Sequence, residues 1–351
     1  MTFLLGLLLL GDPSALAAFL DQAVQAGEIP GAVVVIHQEG KVVFSKAAGL
    51  ADREANRPMR VDDIFMMASA SKPLAATAIL TLVDRKKLSL DDTVTKFFPD
   101  FPGKSTIRQL LSHTSGIFGN VPDAPRLKLI RDFDAPLAQA VEALVREPLA
   151  YEPGTQYAYG GASFCVAGRI AELLTGEEFD AFADRVLFRP LGMKDTVYRS
   201  AKNLSPRIPK IYRKAGEQWV ATPAIMDRPE QRGPRPTGFL LVPGGIYSTA
   251  ADMLRFAGLH RGGGKLLSPS ALEEMHRKQT GTLKENYGLG WQILPGGAFG
   301  HGGAYGTYLY IDPAHRAAAV ILTQSIGAGR FQESARRQIQ QFLNGEKRPA
   351  N

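Results

Sequence analysis

The stretch "ASASKPLAATAIL", residues 68–80, sets a serine and a lysine three positions apart at the mouth of an alanine-rich helix. Residues i and i+3 are neighbours on one helical face, so Ser69 and Lys72 are expected side by side while Ser71 points elsewhere. Pro73 suits a first helical turn, where backbone N–H groups have no helical partner to lose. A serine hydroxyl is a weak nucleophile until a neighbour takes its proton. A lysine does this as the neutral amine, a form that burial or nearby positive charge favours. Met66, Met67, Ala68 and Ala70 make the surroundings apolar enough to favour it.

Two further stretches carry chemistry. In "PGTQYAYGGASF", Tyr157 and Tyr159 follow a turn at Pro153-Gly154, and a phenol beside a lysine relays protons or acts as a phenolate base. "GGAFGHGGAYGTY" holds six glycines in the eleven residues from Gly296 to Gly306. Glycine weakens a strand unless a ligand or another backbone must come close. His301-Gly302-Gly303 at the start of a strand would present backbone N–H groups to a developing oxyanion. Other constellations fail: there is no G-x-S-x-G elbow and no H-E-x-x-H, and "RGGGKL" lacks the spacing of a phosphate loop. His113, His260, His276 and His315 fall in helices or turns with no acidic partner at ligand spacing. Neither a metal nor a cofactor is expected.

These residues need elements to hold them. The chain has 351 residues, 45% hydrophobic and 21% charged, enough for one large domain with its own core. Its single cysteine, Cys165, lies in the apolar run "ASFCVAGRIAELL" and reads as a core residue, with no disulfide available. The net charge of +7 comes from 41 Lys and Arg scattered among 34 acids without a basic run, which argues against a nucleic-acid partner. Residues 3–10 are apolar but too short to span a membrane. They resemble a signal h-region, with Ala15-Leu16-Ala17 as an A-x-A site, so a periplasmic or secreted location is favoured over the cytoplasm. Leu16, Phe19, Leu20 and Val24 nevertheless form a helical apolar stripe that a core would keep.

After that helix, "GAVVVIHQEGKVVFSKAAGLAD" gives two strands around Gln38-Glu39-Gly40, a hairpin signal. A helix follows over 69–86, and "TIRQLLSHTSG" reads as another, stopped by Gly116. The region from Asp134 to Leu191 is mostly helical, broken at "YEPGTQY". "MDRPEQRGPRPTG", about residues 226–238, is an exposed loop. "STAADMLRFAGLH" is a helix capped by Ser248 or Thr249. "YGLGWQIL", "AFGHGGAYGTYLYIDP" and "RAAAVILTQS" read as consecutive strands, and a last helix ends at Asn344-Gly345. Strands at both ends with helices between predict an α+β fold: one antiparallel sheet flanked by helices from the chain ends, with a helical lobe inserted. The expected layout is a signal-like segment over 1–13, one catalytic domain over 14–345 and a tail over 346–351. The sheet part takes about 14–65 and 236–345, the lobe about 66–235, with the site in the cleft between them.

Taken together, the three motifs resemble the serine β-lactamase and penicillin-binding-protein superfamily, in the branch of class C β-lactamases, D-alanyl-D-alanine peptidases and related esterases. "SASK" is similar to the family's S-x-x-K, "PGTQYAYGG" to its P-G-x-x-x-x-Y-x-N element, and "HGG" to its K-T-G or H-x-G strand. The likeness covers nearly the whole chain. It implies Ser69 as acylated nucleophile and Lys72 with Tyr159 as proton-transfer pair. It further implies an oxyanion hole from the N–H groups of Ser69 and Ala304, with His301, Gly302, Gly303 and Gly161 against the substrate. Two departures stand out: Gly161 replaces the family's asparagine, and His301 stands where many relatives carry lysine. A small acyl compound is the expected substrate, esters ahead of β-lactams or D-Ala-D-Ala peptides; a domain that is acylated without turnover is the alternative of another class.

Overall fold

A computed structural model describes residues 10–120, 136–198, 206–223, 241–261 and 266–345. Helix α1 (Pro13–Gln25) starts where Asp12 accepts the Ser14 N–H, with proline at the first helical position. Leu16 and Leu20 are buried in its stripe, with Phe19 and Val24 packed beside them. Ala15-Leu16-Ala17 is therefore part of the folded helix. Strands β1 (Gly31–Gln38) and β2 (Lys41–Asp52) form the expected hairpin. Its two loop residues, Glu39 and Gly40, have φ of 49° and 87°, the positive pair that a right-twisted two-residue hairpin needs.

The chain continues through β3 (Arg57–Pro58), β4 (Phe65–Met66), α2 (Lys72–Asp84), α3 (Ile107–Leu111), α4 (Leu137–Leu144), α5 (Ala162–Thr175) and α6 (Phe179–Ala183). A hairpin of β5 (Tyr212–Ala215) and β6 (Gln218–Ala221) follows. Next come β7 (Tyr247–Ser248), α7 (Ala250–His260), α8 (Pro269–His276), β8 (Gln292–Ile293), β9 (Phe299–Gly302), β10 (Tyr308–Asp312), β11 (Ala317–Thr323) and α9 (Gly329–Leu343). Seven strands from the two ends of the chain make one antiparallel sheet in the order β3-β2-β1-β11-β10-β9-β8. The fold is α+β as expected.

Both faces of the sheet are covered, which is why β1 and β11 read as nearly unbroken apolar runs. On one face Val34, Ile36, Ala319 and Ile321 pack with α1 and α9. On the other Val33, Val35, Val320 and Leu322 join the core of α2, α3, α5 and α7. Burying a side chain such as valine or isoleucine contributes about 1.5–3 kcal/mol, so the alternation pins the register of β1 against β11. Cys165 is wholly buried in α5.

Several expectations change. The helix of "TIRQLLSHTSG" stops at Leu111, not at Gly116, and His113 takes a left-handed φ of 62°. Of "YGLGWQIL" only Gln292 and Ile293 are strand: Gly290 is at φ 79° and its N–H turns to Leu111 O, 3.0 Å. "AFGHGGAYGTYLYIDP" is two strands, β9 and β10, folded back on each other. Of the two expected caps for α7 it is Thr249 that fills the role, its side chain accepting the Asp252 N–H. The β5–β6 hairpin and α8 went unanticipated. His315 does have an acidic partner, since Asp312 Oδ2 lies 2.8 Å from its Nδ1, in a pair that closes the β10–β11 turn and is tied in by the Tyr310 hydroxyl, which donates to the same Oδ2 at 3.0 Å. The Pro- and Arg-rich stretch 226–238 lies outside the described residues. Among the described residues no helix is long and apolar enough to cross a membrane.

Candidate active site

Ser69 sits in a single 3-10 turn, Ala68–Ser71, that runs directly into α2. In a 3-10 turn residues i and i+3 eclipse, which brings Lys72 under Ser69 as the spacing requires. Lys72 Nζ donates to Ser69 Oγ at 3.0 Å and to Tyr159 Oη at 2.8 Å. Lys72 is 2% exposed, and its nitrogen lies 4.5 Å from the ring centre of Tyr159 and 5.9 Å from that of Phe164. Ser71, by contrast, is fully buried and its Oγ accepts the Ile246 N–H at 3.2 Å. The serine left facing the lysine and the cleft is Ser69, which is partly exposed.

The turn is strained where the chemistry is. Ala68 adopts φ 46°, a left-handed conformation that costs a non-glycine residue roughly 1–2 kcal/mol. Met67 on its other side is tied down: its N–H donates to Ile246 O at 2.8 Å and its carbonyl accepts from Thr307 Oγ1 at 2.8 Å. That last contact brings the turn after β9 against the nucleophile's turn. Here glycine has a reason: a Cβ on Gly303 would overlap Met67 O and Thr307 Oγ1. Gly302 is less crowded, with Gln332 Nε2 and Tyr308 just over 3 Å from where a Cβ would stand. Ala304 lies in the turn held by the Gly303 N–H to Thr307 O bond of 2.7 Å. The Ser69 N–H precedes the first 3-10 bond, Ala70 N–H to Met67 O at 3.1 Å, and so belongs to the helix-start donors that have no intrahelical acceptor.

Tyr159 is carried by the segment before α5 and fixed by backbone bonds on both sides. The Ala158 N–H donates to His113 O at 2.9 Å, and the Asn120 N–H to Tyr159 O at 2.8 Å. Tyr157 does not reach Lys72; its ring packs on His113 and Tyr287, and burial pushes its phenol up. Gly161 is the first flanking residue of α5, and its N–H donates to Asn120 Oδ1 at 3.3 Å. An amide thus stands beside Gly161 after all, supplied by the segment after α3.

His301 departs from the expectation that its side chain faces substrate. The ring is 1% exposed and turned inward, with Nε2 2.9 Å from Tyr287 Oη and Nδ1 2.8 Å from Gly302 O. Burial, reinforced by Lys72, pulls it down to about 3, so the wall made by β9 carries no positive charge. Sequence reasoning passed over three residues here: His113, whose ring centre is 4.7 Å from that of Tyr159, Tyr287 and Asn120. The only signal available for Tyr287 was the pair of glycines after it, since Cβ atoms at Gly288 and Gly290 would crowd Met275 O and Lys72 O respectively.

Comparison with known proteins returns one picture. The family model described as Beta-lactamase matches residues 16–344. The chain is 31% identical to "Esterase EstB" of Burkholderia gladioli, over 91% of this chain and 93% of that one. It is 29% identical to "Penicillin-binding protein 4" of Amycolatopsis lactamdurans, over 92% and 87%. Among solved structures it resembles "EstCE1, a hydrolase with promiscuous acyltransferase activity", with a TM-score of 0.84 and 25% identity over 95% of this chain and 98% of that chain.

Proposed function

The chain belongs to the Beta-lactamase family, and from that premise we propose that it is a serine hydrolase acting through an acyl-Ser69 intermediate on small, uncharged esters. The observation that carries this reading is the unbroken contact of Ser69 Oγ, Lys72 Nζ and Tyr159 Oη at 3.0 and 2.8 Å. Ser69 Oγ attacks the ester carbonyl carbon while its proton passes to the Lys72–Tyr159 pair. The N–H groups of Ser69 and Ala304 hold the oxyanion. The bond to the alcohol oxygen then breaks, and the pair returns the proton to the departing alkoxide. In the second half the same pair takes a proton from water as its oxygen attacks the acyl carbon, and returns that proton to Ser69 Oγ as the bond from Oγ to the acyl carbon breaks, which frees Ser69 and a carboxylic acid.

Ester preference rests on the third wall. A β-lactam or a D-Ala-terminated peptide presents a carboxylate, and a fixed cation opposite it makes a charge-assisted hydrogen bond of about 1.5–3 kcal/mol. His301 offers none, being buried, neutral and committed at both ring nitrogens. The likeness to an esterase over more than nine-tenths of both chains supports the same reading. The test is a side-by-side panel of p-nitrophenyl acetate, a long-chain p-nitrophenyl ester, a cephalosporin and a D-Ala-D-Ala peptide. The short ester should give the highest kcat/KM. Efficient cephalosporin turnover with negligible ester hydrolysis would overturn the substrate assignment. Labelling with a fluorophosphonate should add one adduct, absent in Ser69→Ala; an adduct on Ser71 or Ser163 would discard the nucleophile.

A further inference from the structure

Three buried groups that take no part in the acyl-transfer steps stand in a row beside them: His113 (1% exposed), Tyr287 (2%) and His301 (1%). Four hydrogen bonds run through them. The Gly160 N–H meets His113 Nδ1 at 3.4 Å, and His113 Nε2 meets Tyr287 Oη at 3.3 Å. Tyr287 Oη meets His301 Nε2 at 2.9 Å, and His301 Nδ1 meets Gly302 O at 2.8 Å. The two ends settle the direction. A backbone N–H only donates, so His113 Nδ1 accepts and its proton sits on Nε2. A carbonyl only accepts, so His301 carries its proton on Nδ1 and takes one from Tyr287 at Nε2. With both rings neutral, one proton arrangement satisfies all four bonds.

We propose that Tyr287 is a positioning residue for acyl transfer: its hydroxyl joins His113 and His301 into one chain that ties the wall carrying Tyr159 to the wall carrying Gly302 and Ala304. This rests on the hydrolase reading above. The chain starts at Gly160, next to Tyr159, and ends at Gly302, two residues before Ala304. Both imidazoles flank Tyr159, at ring distances of 4.7 Å for His113 and 6.1 Å for His301. The chain therefore sets the gap between the proton-transfer pair and the oxyanion donors. Tyr287 is itself held from behind, where Gly290 lies against Lys72 O of α2. The groups facing the chain are Lys72 from α2 and Tyr157 and Tyr159 from the segment before α5, with Glu285 acting on Tyr157. Burial and Lys72 hold both histidines below their ordinary range. Protonation of either ring breaks the chain, because neither the Gly160 N–H nor the Tyr287 O–H can donate to a nitrogen that already carries a proton.

The experiment compares the full chain with Tyr287→Phe. Displacements of about 1 Å at a reacting centre cost up to about 100-fold, so kcat for p-nitrophenyl acetate should fall about 10- to 100-fold with KM little changed. The acid limb of the kcat profile that ring protonation produces should flatten, since the variant has no chain left for protonation of His113 or His301 to break. His301→Gln keeps an acceptor for Tyr287 and should retain more activity than His301→Leu, an order that a merely space-filling role does not produce. Long-range 1H–15N spectra of the wild-type protein should show Nδ1–H at His301 and Nε2–H at His113. That readout needs no turnover, so it separates failure of this proposal from failure of the hydrolase reading, and it decides the matter if Tyr287→Phe does not fold. Opposite tautomers, or a folded Tyr287→Phe with wild-type kcat and acid limb, would overturn the proposal.

Discussion

Lys72 makes both side-chain bonds of the reacting group, one to the nucleophile and one to the phenol. Removing it therefore removes the path for the proton and not simply a charge. Lys72→Ala should lower kcat for a short ester by at least about 100-fold, the usual scale for a general base, while a burst experiment shows acylation itself slowed. Tyr159→Phe keeps the ring face over which Lys72 Nζ lies at 4.5 Å but loses the Oη acceptor. It should fall in kcat with little change in melting temperature, whereas a large loss of stability would recast Tyr159 as a packing residue. Asn120 offers a finer test. Its Oδ1 holds the Gly161 N–H, so Asn120→Ala should loosen the Tyr159 segment and lower kcat less than Tyr159→Phe does.

At the scale of elements, two turns of opposite design meet at Met67. The first is bent through Ala68 at φ 46°. Glycine adopts that conformation freely but loses about 0.5–1 kcal/mol more than alanine in chain entropy, against the roughly 1–2 kcal/mol of left-handed strain it relieves. Ala68→Gly should thus stabilise the protein by up to about 1 kcal/mol in urea denaturation while kcat drops, because the turn no longer holds Ser69 in one place. A rise in kcat would show that the strain does not serve the nucleophile. The second turn tolerates no Cβ at Gly303, where Met67 O and Thr307 Oγ1 already fill the space. Gly303→Ala should destabilise by about 1–3 kcal/mol, the usual result of overpacking. Gly258 in α7 has nothing within 4 Å of a Cβ position, so Gly258→Ala should have the opposite sign and stabilise by roughly 1 kcal/mol through helix propensity.

For the whole molecule, the buried histidines link stability to pH. Burial holds His113, His260, His276 and His301 below their ordinary value, His276 at about 4 and His301 at about 3. His260 and His276 face each other at 3.0 Å in the core around Trp291, so charging one opposes charging the other. In the unfolded chain these rings titrate near 6.5. Between that value and the folded ones the unfolded state binds more protons, so stability rises with pH there. It is fully present above about pH 6.5 and declines as pH falls towards the folded values, by about 1.4 kcal/mol per pH unit for each ring still neutral in the fold. Urea unfolding from pH 7 to 4.5 should show this slope; a flat profile would mean the rings are solvated or already charged.

The sequence by itself determined what local geometry can carry. Three-residue spacing puts Ser69 and Lys72 together on any helical start, and the runs of β1 and β11 announce strands covered on both faces. Antiparallel pairing of the two chain ends followed from those runs lying on either side of a helical insertion. Tyr159 came through the likeness of "PGTQYAYGG" to a family motif, since 87 residues separate it from Lys72 and no periodicity spans that distance. What lay beyond local geometry was decided by tertiary structure. His113 looked like the end of a helix, but close packing of Leu110 and Leu111 into the core and a left-handed φ aim its ring at Tyr287, 174 residues away. His301 sat in the right motif yet turned inward, because Tyr287 and Gly302 O satisfy both of its nitrogens in the core. A side chain's direction depends on which partners packing brings within about 3 Å, and only the closed fold brings β9, α2 and the segment before α5 to one place.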